Sequence, residues 1–455
     1  MTSSVIVLSG RSPDLDLLTR ALGTVPLPVE AVTAPSIMVD GRFHTAACRW
    51  LKRRHDSKPV SETSVAHARR LVPYIQYLRD ERHRVHPDEF RSDVFAATAE
   101  DLKAYYRQRQ YDPEKLVAST TWKDQRVTIK LFHQFLLNTY GVPLPFTLRR
   151  VILKSGQSVE AMVGLEPRRR SGSRGTPITP EFADLLVQAA LRIDSRGRQR
   201  TSAAVDRDAA FISLGLAAGL RRGTLAAITH YEIPPTSEDD FTEFAVPDFI
   251  AKGDAGGETL AFTYRLAQVH NYLAGHRTEL ASLGRRYRPE DPLRLVRADR
   301  GGWTALAGGR EVSGDWAETD AELRYRMIDM DGSSPLMWLD TRTGEPIGYD
   351  MCGRITASAR DWARVHLEPN FPQRFRTHDL RHTYATHLTI CIFKGAVAAY
   401  VHPDMAEAYT AAKLRDALEI AQLSLGHSSE DSTKLYLRHA HRFLNIPLDE
   451  FLGRR

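Results

Sequence analysis

Residues 168–175, Arg-Arg-Arg-Ser-Gly-Ser-Arg-Gly, carry no apolar side chain. A stretch that has nothing to give a hydrophobic core, set inside a chain of 455 residues, divides that chain. The length alone exceeds what one ordinary core supports, so two or more domains are expected. The run belongs to a longer segment, 148–178, that reads as a basic linker able to follow a nucleic-acid backbone by charge alone. Thr179-Pro180-Glu181 then opens a helix, with Thr179 as the cap and proline in the first turn.

On the N-terminal side, residues 43–147 have helical periodicity. Val65, Leu71, Ile75 and Leu78 form one apolar stripe; Val127, Leu131, Phe135 and Leu136 form another. Basic residues share these helices, and Arg69, Arg70, Lys123 and Arg126, with Arg168, Arg169 and Arg170 of the linker, are candidates for contact with DNA. Net charge is +6 and the pI about 9.1, a balance that permits nucleic-acid binding without demanding it. Residues 1–42 hold one short apolar run, at Val5–Leu8, among proline-spaced loops. Cys48, Cys352 and Cys391 have no metal-ligand spacing, which argues against a zinc ribbon and a disulfide framework and suits a reducing cytoplasm. No apolar run approaches the roughly 18 residues needed to span a bilayer, and the start lacks the features of an export signal.

The chemistry concentrates near the C-terminus. His378-Asp379-Leu380-Arg381-His382 is followed by Leu425-Gly426-His427 and then by Tyr436. Arg381 lies three residues after His378, so both leave one face of a helix. An arginine clamp, two imidazoles and a tyrosine hydroxyl are what metal-free attack on a phosphodiester needs. A second arginine is expected upstream, and Gly219-Leu220-Arg221-Arg222-Gly223 supplies it. His378 and His382, at i and i+4, could also suggest a metal, but no His-Glu-x-x-His occurs and Arg381 between them would repel a cation.

In this order the motifs resemble the tyrosine recombinase, or phage integrase, family. Its catalytic domain carries an arginine after Gly-Leu, a lysine in a β-hairpin, a His-x-x-Arg helix, a Leu-Gly-His turn and a nucleophilic tyrosine. The resemblance covers roughly residues 176–455, and more weakly 60–147. It implies a mainly α fold: an all-α core-binding domain, then an α+β catalytic domain with a small antiparallel sheet, here strands 244–250 and 259–264 around a glycine-rich turn. It implies double-stranded DNA as substrate, a 3′-phosphotyrosine intermediate, no cofactor, and origin in a mobile element. It further implies a homotetramer on DNA joined through the C-terminal tail, whose apolar residues need a groove in their own protomer or in a neighbour's, with possible accessory DNA-bending or directionality proteins. A type IB topoisomerase and a non-catalytic DNA-binding protein on the same fold are the alternatives.

Within that resemblance, Arg221 and Arg381 clamp the phosphate, His378 shuttles the tyrosine proton, His427 donates to the phosphate and Tyr436 attacks. Lys252 is the candidate general acid. It is the one lysine between Lys154 and Lys394 in an arginine-rich chain. A lysine's pKa falls among positive neighbours, whereas an arginine's stays too high for proton transfer. The family often has glutamate three residues after the first arginine; this chain has Thr224. Residues 284–333 and 391–418 read as insertions.

Overall fold

The computed structural model describes residues 5–8, 34–39, 42–57, 63–85, 94–152, 158–168, 177–200, 202–251, 256–283, 287–398, 416–417, 419–420, 422–423 and 443–454. They belong to two compact units, Met1–Gly172 and Ser173–Arg455, so the division falls inside the run without apolar residues.

The first unit is built on helices α1 (Thr45–Ser57), α2 (Thr63–Val85), α3 (Ala99–Tyr111) and α4 (Ser119–Tyr140). Leu71, Ile75 and Leu78 of α2 are fully buried, as the spacing predicts, and meet Trp50, Trp122 and Phe132 in one core. Of the stripe expected on α4, Phe135 and Leu136 are buried and Leu131 packs against the core; only Val127 departs from it. Val127 is 45% exposed, and the buried arc runs through Trp122, Ile129, Phe132 and Leu136. Two histidines sit inside this core. His67 Nδ1 meets Thr128 Oγ1 at 2.9 Å, and His133 Nε2 meets the Tyr74 hydroxyl at 2.9 Å. Burial holds His67 to about 4 and His133 to about 3, with Arg54 and Arg70 adding to the effect at His67.

The helices are accompanied by strands that periodicity does not announce. β1 (Val5–Leu8), β2 (Ser36–Val39) and β3 (Arg42–Phe43) form an antiparallel sheet. Part of the expected linker is also folded: β4 (Leu148–Ile152) pairs with β5 (Ser158–Met162). The hairpin is held on α4 by Lys130 Nζ, which donates to Glu160 O at 2.6 Å. Just beyond it, Trp122 Nε1 donates to Leu165 O at 2.8 Å.

The second unit surrounds α6 (Val205–Ala218), which is buried from Arg207 on and almost wholly apolar around its circumference from Ala209 to Ala218. Against it pack α5 (Pro180–Ala190), α8 (Thr263–Ala274), α11 (Tyr349–His366) and α12 (Thr377–Ala398). Thr179 caps α5 by accepting from Phe182 N, with Pro180 in the first turn, as read from the sequence. α7 (Arg222–Ala227) follows α6, and α9 (His276–Leu283) follows α8. The expected hairpin is present as β6 (Phe241–Val246) and β7 (Gly257–Phe262), antiparallel. β6 ends earlier than predicted because Pro247 has no N–H to continue the ladder.

The first insertion is built around a sheet. β8 (Leu293–Ala298), β9 (Gly302–Ala307) and β10 (Arg310–Asp315) are antiparallel; after α10 (Ala321–Arg326), the short β11 (Met327–Ile328) runs parallel to β8. Gly308 and Gly309, at φ 54° and 81°, make the two-residue turn between β9 and β10, where both positions need positive φ. In the second insertion α12 runs on to Ala398; residues 399–415 lie outside the described residues.

The tail finds a groove in its own chain: Phe443, Phe451 and Leu452 are buried in the second unit, beside Phe262, Tyr384 and Leu388. The short α13 (Leu448–Phe451) is followed by an ion pair between Arg454 and Asp240 at 2.5 Å. Among the described residues no helix is long and apolar enough to cross a membrane.

Candidate active site

α6 stops at Gly219, whose φ of 62° is left-handed and whose N–H donates to Gly215 O. A side chain is excluded there on two counts. The backbone conformation is costly for other residues, and a Cβ would lie 2.1 Å from Cδ1 of the buried Tyr384. The chain then extends through Leu220, and Arg221 becomes the N-cap residue of α7.

Arg381 is buried, and its Nη1 donates to Gly219 O at 2.7 Å across 162 positions of sequence. The Gly-Leu-Arg turn and the His-x-x-Arg helix are thereby joined. The start of α12 is fixed in turn. Arg376 N donates to the Asp379 carboxylate at 2.7 Å, while Thr377 Oγ1 donates to Cys352 O at 3.2 Å and lies 3.0 Å from Thr356 Oγ1 on α11. Burial raises the Asp379 pKa, against the opposing pull of the Arg376 N–H and charge. His378 is left exposed on the first turn, its ring edge against His382 with centroids 4.7 Å apart.

Between these elements opens a cleft of about 700 Å³, lined by Arg221, Arg222, Arg360, Arg376, His378 and Tyr349 among others. No carboxylate occurs among the described residues that line it. The Arg222 guanidinium stacks 3.5 Å over the Tyr349 ring, and Arg360 is held by Asp361 at 2.8 Å. Such a cleft attracts anions, and fixed guanidinium forks match phosphate oxygens. Thr224, buried where the family often has glutamate, donates to Ile250 O at 3.2 Å, and Ile250 borders the cleft.

Of the expected catalytic residues, Arg221 and His378 line the cleft together. Arg381 is not among the lining residues, and one of its nitrogens is engaged by the Gly-Leu-Arg main chain. Lys252, His427 and Tyr436 lie outside the described residues. The sequence reading missed Arg376, Arg360 and Tyr349. A usable signal existed on α11, where Tyr349, Gly353, Ala357 and Arg360 recur at helical spacing on one face.

In the first unit, Arg69 and Lys123 are exposed, while Arg70 pairs with Asp124 at 2.8 Å. Arg126 is engaged within the unit. Its side chain is only 15% exposed and is committed to Glu166 at 2.8 Å and to Met162 O, so it binds the hairpin rather than presenting a free cation. The Arg168 guanidinium lies 5.2 Å over the Tyr111 ring; Arg169 and Arg170 are outside the described residues. No three His, Cys, Asp or Glu side chains cluster to hold a metal among the described residues.

No protein-family model matches the chain, and no curated protein matches it by sequence. Solved structures similar to it include the XerH site-specific recombinase bound to its difH substrate before cleavage, at 11% identity. That match covers 84% of this chain and 79% of the other, with a TM-score of 0.46. Another is the Tn1549 transposon integrase in complex with transposon right end DNA, at 12% identity, covering 87% and 97%, with a TM-score of 0.47.

Proposed function

We propose that this chain is a site-specific DNA recombinase of the tyrosine recombinase family. The observation that carries the reading is the Arg381–Gly219 bond beside a cleft that holds Arg221 and His378 and whose described lining has no carboxylate. Two arginine motifs 160 residues apart in sequence meet where a phosphodiester can be received. Guanidinium groups on its non-bridging oxygens offset the charge that repels a nucleophile. The Tyr436 oxygen forms a bond to phosphorus and the P–O5′ bond breaks. The tyrosine proton passes to His378, and Lys252 protonates the departing 5′ oxygen. The phosphotyrosine keeps the bond energy for rejoining, so neither nucleotide nor divalent metal is needed. The roles of Lys252, His427 and Tyr436 come from the motif resemblance.

The test begins by selecting a duplex that the chain binds from a random-sequence pool. A nicked form of it is incubated with protein and resolved on a denaturing gel. Wild type should give a covalent adduct, also in EDTA; Tyr436→Phe should bind the duplex and give none. An adduct that survives in Tyr436→Phe removes this assignment.

The cis packing of the tail favours keeping one second reading, type IB topoisomerase-like relaxation by a monomer. Relaxation of supercoiled plasmid lacking the selected site, at a rate linear in protein, would establish it instead.

A further inference from the structure

We propose that Arg222 is a second phosphate-binding residue of the cleft. It takes the phosphate next to the one at Arg221 on the same DNA strand, and Tyr349 and Gly353 of α11 hold it in place. The proposal rests on the recombinase reading above and deepens it.

Adjacent arginines at the start of α7 are poorly placed to converge on one anion. Arg221 is the N-cap residue and Arg222 the first of the helix, yet both line the cleft. Side chains at i and i+1 do not face each other, so the two forks serve different acceptors. Their Cα atoms are about 3.8 Å apart. That spacing suits neighbouring phosphates of one strand, not phosphates across a groove roughly 12 Å wide. The cleft also has the room. At about 700 Å³ it is large enough for a drug-sized ligand, so a single phosphate does not fill it.

Arg222 differs from the other arginines of the cleft in how it is held. Arg360 is bound to Asp361 at 2.7 Å and to Phe375 O at 3.4 Å, so its charge is offset and its fork engaged. Arg376 is exposed, with Asp379 near enough to feel its charge. The Arg222 guanidinium carbon instead lies 3.5 Å from the centroid of the Tyr349 ring, and among the described residues no carboxylate or carbonyl takes its N–H groups. A ring fixes the plane of a guanidinium while the N–H donors, which lie in that plane, stay open to a ligand. Gly353, one turn beyond Tyr349, completes the seat. A Cβ there would stand 3.1 Å from Arg222 Nη1. Glycine inside a helix weakens it, and this one makes room for the guanidinium.

The experiment measures equilibrium binding of the full-length chain to duplexes of the selected sequence in which one phosphate at a time is replaced by an uncharged methylphosphonate. A residue and the phosphate it binds reveal themselves by non-additivity: once either is removed, removing the other costs little more. At one position the replacement should weaken wild type about tenfold, what a hydrogen bond to a charged group is worth, and Arg222→Ala less than about twofold. Arg221→Ala should couple in the same way to the neighbouring phosphate, where the covalent adduct of wild type should map. Gly353→Ala bears on Arg222. It should be at least as stable as wild type, since alanine favours the helix, yet bind about fivefold more weakly and lose most of the coupling. Tyr349→Leu should lose the coupling as well, whereas Tyr349→Phe keeps the ring and should retain it; this pair tests the proposal should Arg222→Ala not fold. No phosphate coupled to Arg222, coupling of both arginines to one phosphate, or a Gly353→Ala variant that binds as wild type would overturn the proposal. Absence of a wild-type adduct on the nicked duplex, or an adduct at neither phosphate, is the separate failure of the recombinase reading.

Discussion

Replacing Gly219 with alanine should damage the second unit through one identifiable contact. Gly219 has φ 62°, and forcing another residue into this region costs about 1–2 kcal/mol. The added Cβ would also sit 2.1 Å from Cδ1 and 2.7 Å from Cε1 of Tyr384. That ring cannot swing aside. It is fully buried, its hydroxyl donates to Leu260 O at 2.6 Å and meets Thr259 Oγ1 at 2.8 Å, and Phe262 stands edge-on at 5.9 Å. Overpacking of this kind adds about 1–3 kcal/mol. A total near 3 kcal/mol lowers the melting temperature of a unit this size by about 6–12 °C. The displacement also moves Gly219 O, the acceptor of Arg381, so adduct formation should fall in the molecules that remain folded. Gly141→Ala is the internal control: it caps α4 at φ 70° with nothing within 4 Å of the added Cβ. It should cost only the backbone part, about 1 kcal/mol. Calorimetry of the full-length chain, with hydrogen exchange assigning each transition to a unit, measures both. If Gly219→Ala is no more destabilising than Gly141→Ala, the placement of Tyr384 against the turn is wrong.

The buried histidines make the first unit sensitive to acid. His67 and His133 titrate near 6.5 when unfolded but are held to about 4 and about 3 when folded, so they favour the fold above pH 6.5 and lose that contribution as pH falls toward 3–4. Together they should cost about 4 kcal/mol between neutral pH and pH 5; hydrogen exchange in α2 and α4 that is unchanged over this range would refute it. Phe451→Ala should destabilise the second unit by about 3–5 kcal/mol at any protein concentration, because its ring is buried in cis; a loss that appears only at high concentration would return the tail to a neighbouring protomer. Lys123→Ala should weaken DNA binding and reduce the salt dependence by about one phosphate contact. Arg126→Ala should instead lower the stability of the first unit, since its charge is already spent on Glu166; the reverse pattern would restore Arg126 as a DNA contact.

What the sequence determined by itself was local. The Thr179-Pro180 cap, the stripe on α2 and the His-x-x-Arg spacing each follow from interactions within a few residues, and each is read from residue type and order. The Gly308-Gly309 turn is equally local, since two adjacent glycines supply the positive φ that a two-residue hairpin turn needs. Other features depend on partners far along the chain. Val127 faces solvent because the first core meets α4 along Trp122, Ile129 and Phe132, and nothing local sets that angle. Arg126 looks like any basic residue until Glu166 arrives 40 positions later. Arg376 and Arg360 become lining residues, and Arg381 an organiser of the turn, only when α11 and α12 pack beside α6. Side-chain chemistry fixes what a residue can do. Which anion, carboxylate or carbonyl it meets is decided by long-range packing, because a guanidinium bonds equally well to whichever acceptor the fold delivers.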